Sequence, residues 1–138
     1  MQADAAPHDG ITEAFIRECS TPAVQSLKPN LDAFDTVWTP ENQLTLAGET
    51  DTIPRAKYIW VPTLSQLLHE LKRRSKRPDE PILRPSETGW ECVVTIDEWA
   101  ADYETYIETQ RRFSGDELIW VVLRAVKAAI GIGERWMV

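Results

Sequence analysis

The sequence predicts an α+β fold: a small antiparallel sheet packed against helices, closed by a buried amphipathic helix at the C-terminus. Three observations carry that prediction. Between residues 30 and 62, the short β-prone pieces "DTVW", "QLTLA" and "AKYIWV" are separated by Pro40, Gly48, Asp51 and Pro54. Leu64, Leu67, Leu68 and Leu71 recur at i, i+3, i+4 and i+7, one stripe of a helix. The run from Leu118 to Ile130 is apolar around most of its girth, interrupted only by Arg124 and Lys127, so it must be nearly enclosed. A chain of 138 residues, 43 % hydrophobic and 27 % charged, has globular composition. Folding at that size buries about 68 % of the unfolded surface, enough for a core without metal or disulfide. Residues 1 to 10 read as a flexible tail and residues 11 to 138 as a single α+β domain.

The elements follow in order. In "TEAFIREC", Ile11, Phe15 and Cys19 fall at spacing four with Ile16 alongside, a short amphipathic helix. Thr21 is placed as an N-cap with Pro22 at the first helical position, where its missing N–H costs nothing; this second helix stops before Pro29. Three short strands form the sheet, and Pro62 ends the last of them. Thr63 and Gln66 form a capping box that opens a helix from Leu64 to about Arg74. "SKRPDEPILRPSETG" holds three prolines and no periodicity, so it reads as a loop. "WECVVTI" alternates as a strand. The next segment supports two readings: a helix opened by Thr95 and Glu98 with Ile96, Trp99, Ala100, Tyr103 and Ile107 on one face, or a second hairpin strand through "DYETYIET". Ser114 and Glu117 suggest a capping box for a helix from Gly115 to Ile130, stopped by Gly131 and Gly133.

Charge is the chain's most unusual feature. Its net charge is −7, yet Lys72, Arg73, Arg74, Lys76 and Arg77 place a third of its fifteen cations in six consecutive positions. Without them the rest of the chain carries −12, and "DEWAADYETYIE" concentrates Asp97, Glu98, Asp102, Glu104 and Glu108 with no cation. Two or three cations suffice to offset the negative end of a helix macrodipole. Five suggest either pairing with the acidic stretch or a site for nucleic acid or an acidic protein. The acidic segment, with Tyr103 and Tyr106 interleaved, has a second interpretation as an imitation of nucleic-acid phosphates, against the simpler one of a solvated face. Trp120 shares a helix face with Arg124 and Lys127, and it either packs under a neighbour or serves as an exposed anchor. The overall acidity disfavours a generic nucleic-acid binder.

Catalytic patterns are thin. His8 lies in the tail and His69 on the polar side of the leucine helix, and the two histidines and two cysteines show no zinc spacing. GxSxG, P-loop and GxGxxG motifs do not occur, so no cofactor is predicted and a binding role is favoured over an enzyme. Met1 to Gly10 has neither the basic nor the apolar region of a secretory signal, and the longest apolar run, Leu118 to Leu123, is far short of a membrane span. Cys19 and Cys92 suit buried thiols in a reducing compartment. These features predict a cytoplasmic protein.

"CSTPAVQSLKP", "YIWVPTLSQLLHEL" and the C-terminal "ELIWVVLRAVKAAIGIGERW" resemble, in this order, segments of small proteins encoded by phages and prophages. Those relatives carry a C-x-x-P-x-x-Q-x-x-x-x-P opening, matched here by Cys19, Pro22, Gln25 and Pro29. Their I-W-L-P-x-x-x-Q-L stretch is matched by Ile59, Trp60, Pro62, Gln66 and Leu67, and their last helix ends in G-x-x-W. The sequence departs from the pattern in having "LDAF" where relatives have Gly-Asp before the first strand, and in adding the basic cluster after Leu71. The resemblance implies a phage or mobile-element setting inside a bacterial host and carries over no catalytic residue. The expected function is that of an accessory protein that binds a host or phage macromolecule, with a protein as the favoured partner and nucleic acid reachable through the basic cluster. A nucleic-acid-binding module built on residues 72 to 77, and a small hydrolase, are the alternatives.

Overall fold

The computed structural model describes residues 12–50, 57–99 and 105–136. It is an α+β protein whose chain divides into two compact units, Met1–Thr63 and Leu64–Val138. The expected tail, residues 1 to 10, lies outside the described residues.

The first unit opens with α1 (Glu13–Cys19), capped by Thr12, whose hydroxyl accepts the Phe15 N–H at 3.2 Å. Phe15, Ile16 and Cys19 form its buried face. A single turn, α2 (Pro22–Gln25), follows with Pro22 at its start; the Thr21 side chain makes no capping bond. β1 (Thr36–Trp38) then pairs antiparallel with β2 (Leu44–Leu46) on one side and β3 (Ile59–Trp60) on the other. Asn42, at φ 63°, makes the reversal between β1 and β2, a left-handed position that Asn tolerates. The predicted third strand is longer than the two residues that pair.

These strands are short, and a side chain does part of their work. Gln25 donates through Nε2 to the carbonyls of Trp60 and Cys19, each at 2.8 Å, and its Oε1 accepts the Trp60 N–H at 2.8 Å. The amide thus pairs with Trp60 as a neighbouring strand would. Cys19, Gln25 and Trp60 come from the two separate motifs of the resemblance, and here they form one clip.

The second unit begins with α3 (Leu64–Arg74), which buries Leu67 and Leu71 as the leucine stripe predicts. Its sheet has the order β4 (Ile82–Ser86), β5 (Gly89–Trp99), β6 (Tyr106–Gly115), all antiparallel. One reading of the sequence changes here, and one open choice is decided. The proline-rich stretch is only partly loop, because β4 pairs with β5 from Ile82↔Val93 to Ser86↔Gly89. Thr95 turns its N–H and C=O to the β4 side, so residues alternate from it and the Pro85↔Trp90 pair exchanges no backbone bonds; the absent proline N–H is not missed. Residues 89–99 and 106–115 form the hairpin and not the helix, since the Thr95 backbone is already held by the sheet edge.

The last helix, α4 (Leu118–Trp136), also differs from expectation at both ends. Ser114 is in β6 opposite Glu91, so no Ser114–Glu117 capping box forms. At the other end Gly131 keeps helical geometry without a positive φ, and the helix continues. Helix α4 packs on β5, β6 and α3, burying Val121, Val122, Leu123, Ala125 and Val126. Cys92, Val94, Ile96 and Phe113 share one face of the sheet and are buried. Gly89, at φ 140°, is required by the β4–β5 turn and by the strand beside it: a Cβ there would lie 2.5 Å from the Gly115 carbonyl. Among the described residues, no helix is long and apolar enough to cross a membrane.

Candidate functional site

The basic cluster starts in the last turn of α3, where the helix ends and its cations face unpaired carbonyls. Lys72 turns its Nζ onto the carbonyls of Pro78 and of Glu80, the latter at 3.0 Å, and so ties down the following loop. Arg73 and Arg74 both reach back one turn to Glu70, Arg74 at 3.2 Å. Burial pushes the Glu70 carboxyl upward, but the two guanidinium groups outweigh it and hold it below the usual carboxylate range. Lys76 meets Asp97 at 2.9 Å. That hydrogen bond and the Asp97 charge raise the Lys76 amine above its ordinary value, against a smaller effect of burial, and Glu108 adds to the rise. The Arg77 guanidinium makes no ion pair or hydrogen bond among the described residues.

The Lys76–Asp97 pair thus brings the described parts of the two charged segments side by side. Arg73, Arg74, Ser75 and Lys76 line one wall of an open cleft of about 270 Å³, and Ile96, Asp97, Tyr106 and Ala129 complete it. Tyr106 is 42 % exposed at this cleft. Of the acidic residues singled out, Glu98 binds Arg111 with both oxygens, at 2.9 and 3.0 Å, and Glu108 is exposed on β6. Asp102 and Glu104 lie outside the described residues. Trp120 is half-buried on α4 and does not line the cleft, while the neighbouring Arg124 donates to the Ser114 carbonyl.

The periodicity of the sequence does not single out Glu80, in "RPDEP". It is 2 % exposed; its Oε1 accepts the Thr95 N–H at 2.5 Å and its Oε2 accepts Gln110 Nε2 at 3.1 Å. The Lys76 N–H meets the Thr95 carbonyl at 2.9 Å. Residues 76 to 80 thereby continue the work of β4 beyond its end. Burial pushes the Glu80 carboxyl up, and the hydrogen bonds from Thr95 and Gln110, with the Arg77 charge, bring it below the usual range. No signal marks this residue until the sheet exists. Asp35, the other buried carboxylate among the described residues, accepts the Asp32 N–H at 2.7 Å and faces Lys28 at 3.5 Å. Both acids are committed to contacts within their own chain. His69 is exposed on α3, and among the described residues no three His, Cys, Asp or Glu side chains gather to hold a metal. Compared with protein-family models, with curated proteins and with solved structures, the chain matches none.

Proposed function

We propose that the chain is a phage or prophage accessory protein that works in the cytoplasm of a bacterial host by binding a host or phage protein at the cleft between α3 and the β5–β6 hairpin. The observation that carries this reading is the mixed sign of the cleft wall. A groove for nucleic acid gathers cations that phosphates can neutralise. Here Arg73 and Arg74 share Glu70, and Lys76 is matched by Asp97. Alternating charge beside an exposed aromatic ring suits a protein surface of complementary pattern, with Tyr106 as the apolar contact. The setting rests on the resemblance of the Cys19–Pro29, Ile59–Leu67 and C-terminal motifs to those of phage and prophage proteins.

The test immobilises the full chain in bacterial and phage-infected lysates. A captured protein lost with Arg73→Glu/Arg74→Glu and with Tyr106→Ala, but kept with Trp90→Ala, supports the reading. Asp97→Asn offers a sharper measurement, because it frees Lys76: retention on heparin is expected to rise over the parent chain. Strong parental retention on DNA, steeply salt-dependent and removed by changing all five cations to glutamine, would replace this reading with nucleic-acid binding.

A further inference from the structure

The outer edge of β6 supports a second inference, independent of the cleft. We infer that two copies of the chain pair antiparallel through β6, centred on Gln110, so that their two sheets become one.

The argument begins with the backbone. In the order β4-β5-β6, β6 is an edge strand of ten residues with no proline, and among the described residues no strand pairs with its outer side. The opposite edge, β4, is half as long and carries Pro85. Thr95 gives its N–H to Glu80 and its C=O to the Lys76 N–H, both on the β4 side. Its register partner Gln110 is therefore in a pair that exchanges no backbone bonds with β5, and the Gln110 N–H and C=O point outward. Alternation turns Glu108 and Arg112 outward in the same way. The open stretch ends at Ser114, whose carbonyl is taken by Arg124.

The side chains then select the occupant. Two antiparallel copies of one strand in a continuous sheet are related by a two-fold axis perpendicular to it, which keeps each face on its own side. The axis must consequently pass through a residue. Centred on Glu108 it would oppose Glu to Glu, and centred on Arg111 or Arg112 it would oppose Arg to Arg. Centred on Thr109 it would set Ile107 against Arg111. Centred on Gln110, it sets Glu108 opposite the second copy's Arg112 and Ile107 opposite the second copy's Phe113, each twice by symmetry. Three of these four groups are accessible, Ile107 at 52 %, the Arg112 side chain at 63 % and Glu108 on the open strand, whereas Phe113 is only 9 % exposed and offers Ile107 no more than its rim, so the Glu108–Arg112 pairs carry the choice of register. The outward groups of residues 108, 110 and 112 would form about six backbone hydrogen bonds in this register.

Sedimentation of the full chain over a concentration series tests the pairing. The parent is expected to show a monomer–dimer equilibrium. Glu108→Arg is expected to weaken the dimer roughly tenfold or more by opposing two cations, and Glu108→Arg/Arg112→Glu to restore it. Glu108→Pro removes an N–H that faces the second copy and none that faces β5, so it should give a folded monomer by circular dichroism. Arg112→Glu also loses Arg112–Glu91, so the two Glu108 variants carry the test if it fails to fold. A parent that stays monomeric throughout, or a dimer untouched by Glu108→Pro, would overturn the inference, and neither result bears on partner capture at the cleft.

Discussion

The two compact units hold their sheets together by different means. In the first, strands of two and three residues are joined by a side-chain amide, Gln25, which serves both the N–H and the C=O of Trp60. In the second, β5 and β6 match from Trp90↔Gly115 to Trp99↔Tyr106, and an apolar helix covers the sheet. A long ladder distributes its stability over many backbone bonds, so that no single side chain is indispensable to it. A short one concentrates stability in the residue that completes it. The second unit repeats the first one's device only at its end, where Glu80 and Lys76 replace β4 beside Thr95.

The largest effect that would break this comparison is at Gln25. Gln25→Ala leaves the Trp60 N–H and C=O unpaired at a residue 3 % exposed, and is expected to cost about 3 kcal/mol. Hydrogen exchange checks it: amides of residues 37 and 61 should lose protection while those of residues 92 to 96 keep theirs. Equal loss in both units would mean that the clip is not local to the first.

The next effect is at Glu80. Its folded-state carboxyl lies below the ordinary value of 4.5, so the unfolded chain binds the proton more readily. The stabilisation is present above that ordinary value and is lost as pH falls through the lower, folded one; Glu70 contributes with the same sign. Glu80→Ala is expected to cost about 2 kcal/mol at pH 7. Urea midpoints measured at neutral and acid pH should show the parent losing more stability on acidification than Glu80→Gln. An unchanged pH dependence in Glu80→Gln would remove Glu80 as its source.

The smallest effect concerns the two thiols, one in each unit. Burial, with the nearby Glu80 charge, pushes Cys92 up to about 11, so it stays protonated at neutral pH. Both Cys19 and Cys92 are fully buried, and alkylation must wait for opening. Labelling of the native protein followed by mass spectrometry is expected to modify Cys19 first, because its unit has the shorter ladders. Prior modification of Cys92 would reverse that ranking.

Local pattern alone determined the leucine helix, the pairing of short strands between residues 36 and 60, the proline start of α2 and the enclosed character of α4, because period and turn chemistry act over a few residues. Tertiary structure decided the rest. Residues 82–86 became a strand despite their prolines because an edge position does not need every N–H. Residues 96–99 and 106–109 lie in the sheet through cross-strand pairing that local periodicity does not encode, and α4 runs past Gly131, which keeps a helical φ. The cations of residues 72 to 77 stood out in the sequence, and pairing with the acidic stretch was among its readings, but which acid each cation meets was not legible. Glu70 lies one turn back on the same helix and Asp97 more than twenty residues ahead, and distance along a chain carries no charge complementarity until the chain folds. The same holds for Glu80 and Gln25, whose roles exist only where a strand ends and a side chain must take its place.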